Sequence, residues 1–165
     1  MPINRKIALA LSLAAFLFFS PRFPLLYFAP YLVVCFYQLS FTHTLFRSLG
    51  CGVLVDLFSS NPHFGLHSLV YFLVSAALYH QKQNFFADKL STVPIMTTFF
   101  SLLSTLLFLV ARFFSSSPLH LSWRGVMTEF FALPLLEGTY ALLVFSLPFC
   151  LIHFIRKMKI FRRRS

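Results

Sequence analysis

The chain has 165 residues, of which 58% are apolar and only 11% charged, and its mean hydropathy is +0.79. A soluble domain of this length cannot hide that much apolar surface, whereas a bilayer can, which excludes an ordinary soluble fold. The net charge of +10 would suggest nucleic acid in a soluble protein, but most of it flanks apolar runs, where it sets membrane topology and calls for no nucleic-acid partner.

The length accommodates about six spans of ~20 residues each with little left over. The expected fold is therefore an all-α integral membrane protein, with residues 1–165 forming a single transmembrane domain. Arg5 and Lys6 precede the apolar run 7–20, a pattern that resembles a signal peptide. Phe18, Phe19, Ser20 and Pro21 make a poor small-residue cleavage site, so the run reads as a retained first span. Pro21-Arg22-Phe23-Pro24 breaks the helix. The second span covers 25–39, with a kink expected at Pro30, and Phe41-Thr42-His43-Thr44 reads as a brief turn.

The third span, 45–59, is the weakest by hydropathy because it carries Arg47, Gly50, Gly52 and Asp56. Ser60-Asn61-Pro62-His63 has turn chemistry, and the fourth span follows over 64–79. Residues 80–90 form a polar connection containing Lys82 and Lys89, and 92–114 is a long fifth span. Residues 115–124 are a polar loop, with Trp123 where an interfacial aromatic would anchor. The apolar region 126–155 would reach ~45 Å as one helix, more than a ~30 Å core needs. Pro134 and Pro148 are expected to divide or kink it, leaving a short interfacial helix over 126–133 and a sixth span over 135–155. A basic tail, 156–165, closes the chain.

Alternate loops differ sharply in charge. With six spans, Arg5, Lys6, Arg47, Lys82, Lys89 and the six basic residues of the tail share one side; Arg22, Arg112 and Arg124 lie on the other. That asymmetry places both termini in the cytoplasm of a multi-pass protein. The basic tail also suits anionic membrane lipids.

The residues that could carry chemistry are few. Asp56 lies within an apolar run and reads as a proton relay or substrate contact, or as an acid bonded to a neighbouring span or a partner; the last two are favoured. Ser48 and Gly52 make a small-xxx-small pair, and Gly50 and Gly65 flank the same segment, a pattern for close helix packing or a partner interface. His63 and His67 stand four apart, as metal ligands do, without a third ligand nearby. Glu129 suits a helix N-terminus or the interface. Glu137, between Pro134 and Gly138, marks a ligand-contact site beside helix breakers or pairs with Arg124 or Arg47. Cys35, Cys51 and Cys150 are scattered in apolar runs and read as buried thiols. No metal, cofactor or catalytic constellation is evident, so no enzyme is expected.

The pattern G-V-L-V-D-L-F-S followed by G-L-H-S-L-V-Y-F-L-V resembles the signature of the bacterial rod shape-determining protein MreD family. The matching residues are Gly52, Asp56, Leu57, Ser59, Gly65, Leu66 and Leu69. The resemblance is specific over about residues 50–83 and compositional elsewhere. The turn before Gly65 is one residue longer than the family's usual one, with Ser60-Asn61 where the family often has glycine.

This resemblance implies a non-catalytic subunit of the cell-shape and elongation complex in the bacterial cytoplasmic (inner) membrane. Its partners would be an MreC-like bitopic protein, an MreB-like actin homologue and the cell-wall synthesis enzymes of peptidoglycan synthesis. It also implies a fold similar to the substrate-binding subunits of ECF-type transporters. A vitamin-like small-molecule binding subunit of such a transporter, using Glu137 or Trp123, is the alternative.

Overall fold

The computed structural model describes residues 4–19, 25–59, 64–82, 92–114 and 127–148, and among these the chain is all-helical, with six helices and no strand. They are α1 (Arg5–Phe19), α2 (Ala29–Gln38), α3 (Phe41–Phe58), α4 (Leu66–Gln81), α5 (Thr92–Phe114) and α6 (Thr128–Ser146). Two of them are long and apolar enough to cross a membrane: α5 over Thr92–Ala111 and α6 over Thr128–Ser146. The others are shorter, 15, 10, 18 and 16 residues for α1 to α4.

Helix α2 is the centre of the bundle. Ala29 to Phe36 is buried on every side, as an all-apolar helix must be when neighbours surround it, and α1, α3 and α5 pack around it. Pro30 does not kink α2: it stands in the first turn, where its missing N–H costs nothing. The residues before it, from Leu25, form a turn in which the Ala29 N–H bonds to Leu26 O. The segment 41–44 is helix rather than turn. Ser40 precedes it with extended backbone, and the Thr44 N–H bonds to Ser40 O as the first link of α3.

The last apolar region is continuous from Thr128 to Ser146, not two helices parted at Pro134. A π-helical turn, Thr128–Ala132, leads into α-helix Leu133–Ala141 and then a second π turn, Leu142–Ser146. Leu133 N–H bonds to Thr128 O, five residues back. That wider spacing accommodates a proline, whose ring clashes with the carbonyl four residues before it in a regular α-helix.

Beside an apolar core that includes Phe28, Leu32, Phe36, Leu78, Phe100 and Phe145, the interior holds polar side chains, and the exterior is rich in large apolar ones. Ser12, Thr44, Ser48, Asp56, Ser75, Thr97, Ser101, Ser104 and Glu137 are buried. The exterior carries Phe18, Phe46, Leu57, Phe58, Leu69, Phe113 and Phe131. On α3, Thr44, Ser48, Cys51, Gly52 and Asp56 form the inward face and Phe46, Leu49, Leu54 and Leu57 the outward one.

Candidate functional site

Helices α3 and α4 form the most closely packed pair of neighbours in the chain, and Gly52 is why they can. A methyl group there would overlap the Ser68 Cα and sit 2.8 Å from the Ser68 nitrogen and 2.9 Å from the His67 oxygen. Only a residue without Cβ lets the two backbones meet. Ser48, one turn earlier on the same face, turns its hydroxyl back to Leu45 O at 2.8 Å and so presents no unpaired polar group to α4.

Asp56, one turn beyond Gly52, is 4% exposed and points at the beginning of α4. The residue preceding that helix, Gly65, has φ +95, a left-handed conformation that glycine tolerates, and it has no side chain with which to cap. Asp56 supplies the cap from the neighbouring helix. Its Oδ1 accepts the His67 backbone N–H at 3.1 Å and lies 2.9 Å from His67 Nδ1. Its Oδ2 accepts the Ser68 N–H at 3.0 Å and the Ser68 hydroxyl at 2.7 Å. Both orphan donors and the positive end of the helix dipole are met by one carboxylate.

Glu137 repeats the idea at lower saturation. Its Oε1 accepts the Leu26 backbone N–H at 2.9 Å, across 111 residues of sequence, and so anchors the turn that opens α2. At the other end of α2, Lys82 Nζ donates to Phe36 O at 3.1 Å while lying 3.7 Å from the Tyr79 ring centre, and the Tyr79 hydroxyl donates to Leu39 O. The central helix thus has a carboxyl oxygen accepting at its N-terminal end and a cation at its C-terminal end, both suited to its dipole.

Several expected roles are revised. Gly50 does not hold α3 to α4: a methyl group there meets nothing within 4 Å, and the residue faces outward. Gly65 acts through its backbone conformation rather than by close packing, since space around it is open. Glu137 does not pair with Arg47, whose guanidinium donates to the Tyr31 hydroxyl instead; Arg124 lies outside the described residues, as do Trp123, His63, Cys150 and the basic tail. His67 is engaged by Asp56, and among the described residues no group of three His, Cys, Asp or Glu side chains is placed to hold a metal. Cys35 and Cys51 are buried free thiols.

Sequence reasoning passed over Ser68, Tyr79 and Lys82. Ser68 had a signal, being the third residue after a glycine that begins a helix, where a donor hydroxyl can join a cap. Tyr79 and Lys82 serve carbonyls some 40 residues away, and nothing local announces that. Set against protein-family models, curated proteins and solved structures, the chain finds no match in any of the three.

Proposed function

We propose that the chain is a multi-pass, non-catalytic inner-membrane subunit of the MreD type. On this reading six helices cross the bilayer with both termini cytoplasmic, in an arrangement like that of ECF substrate-binding subunits. The subunit organises peptidoglycan synthesis by holding an MreC-like bitopic protein and, through it, an MreB-like filament protein and wall-synthesis enzymes.

The observation that supports this best is the α3–α4 hairpin. Three of the seven residues that carry the family resemblance have a structural task there: Gly52 at the backbone contact, Asp56 as the cap, Gly65 in the left-handed turn. The opposite face of α3, with Phe46, Gly50, Leu54 and Leu57, is apolar and outward. A notch at Gly50 between large side chains suits the membrane helix of a bitopic partner. Buried polar side chains and a phenylalanine- and leucine-rich exterior suit lipid as the surrounding solvent.

The test is detergent co-purification of the tagged protein from its native membrane, with mass spectrometry of what is retained. Recovery of a bitopic coiled-coil protein together with wall-synthesis enzymes is expected. Recovery of an energy-coupling ATPase pair would replace this reading with the transport one, in which Glu137 contacts a ligand.

A further inference from the structure

The two buried acids differ in one respect. Asp56 has both oxygens occupied, whereas Glu137, 2% exposed, has Oε2 without a hydrogen-bond partner in the protein. Other unsatisfied groups converge on the same region. Tyr71 on α4 is wholly buried, and its hydroxyl has no partner while lying within electrostatic reach of Glu137 and of Asp56. Tyr140, three residues beyond Glu137 on α6, also has an unpartnered hydroxyl. Ser101 flanks the carboxyl from α5.

Among the described residues no cation pairs with this carboxyl. Among the described residues the ion pair present is His67 with Asp56, while Arg47 and Lys82 are committed to Tyr31 and Phe36. Burying an ionised carboxylate without a counter-charge is costly enough that such groups normally take up a proton. A neutral carboxyl then has one O–H to place. A buried polar atom left unpaired is costly, so three of them among these packed helices describe a site that takes a guest. The guest must both donate and accept, because it meets a carboxyl and two phenols. It must also be small, since the rings pack edge to face: Tyr71 on Phe100 at 5.5 Å, Tyr27 on Tyr140 at 5.8 Å, Tyr140 on Phe145 at 6.1 Å.

Water has that chemistry and size. We propose that Glu137, Tyr71 and Tyr140 line an internal hydration site, in which ordered water joins a protonated Glu137 carboxyl to the two phenol hydroxyls. This inference stands on the helical interior and does not require the partner reading above.

Infrared spectroscopy of the full-length protein carrying isotope-labelled glutamate tests it. The chain has two glutamates, Glu129 and Glu137, so labelled Glu129→Gln protein reports on Glu137 alone with the site intact. At neutral pH a protonated-carboxyl band is expected, shifting to lower frequency in heavy water. In Tyr71→Phe and Tyr140→Phe, which keep the acid, the band should move to higher frequency as hydrogen bonds are lost. An ionised-carboxylate band instead would overturn the proposal and point to a small cation as the guest. A protonated band indifferent to heavy water and to both tyrosine variants would overturn it too, since it would mean a dry, isolated acid.

Discussion

Asp56 is a capping residue whose helix is not its own. Replacing it with Ala strands the N–H groups of His67 and Ser68 inside the hairpin, at a cost of about 2 kcal/mol. For a chain of this size that is a fall in melting temperature of roughly 4–8 °C. Asn, which keeps an acceptor oxygen but loses the charge, should recover part of it; equal losses for Ala and Asn would contradict the capping role. Gly52→Ala forces the Ser68 backbone away and should cost roughly 1–3 kcal/mol. Gly50→Ala, two residues earlier and open to its surroundings, should cost almost nothing. Thermal unfolding in one detergent, with the four variants side by side, checks all of this. At this scale the sequence was informative about Gly52 and Asp56, because a glycine and an acid inside an apolar run each demand a reason. It was silent about Leu26 as the partner of Glu137, since a backbone N–H has no residue code.

Among elements, α5 and α6 approach closely at a small residue, Gly138. A methyl group on Gly138 would run into Thr98 Oγ1, which is itself held to Pro94 O at 3.0 Å and cannot easily turn aside. Gly138→Ala should therefore destabilise the bundle by roughly 1 kcal/mol or more, and Thr98→Ala, by removing that oxygen, should restore most of the loss. Additive losses in the double variant would show that the two helices meet elsewhere. The helices themselves were largely legible from apolar runs and prolines. Two boundaries were not. Residues 41–44 look like a polar turn yet continue as helix because Ser40 begins it, and Pro134 looks like a break yet sits inside α6 because a π turn precedes it. Local composition cannot reveal a backbone that absorbs its own proline.

For the whole molecule, hydroxyls and carboxyls buried among the apolar core, under a coat of exposed phenylalanine and leucine, are the basis for placing the chain in a bilayer. The same distribution divides labour on α3. One face, through Gly52 and Asp56, is spent on α4; the other, around Gly50, is exposed. We propose that this outward face receives the membrane helix of a bitopic partner. The most direct measurement is photo-cross-linking in native membranes from a photoreactive residue at position 50, beside the same residue at position 106 on the exposed face of α5. A cross-link to a single-span, coiled-coil protein from position 50 and not from position 106 is the predicted result. The same partner captured equally from both positions, or from 106 alone, would contradict it.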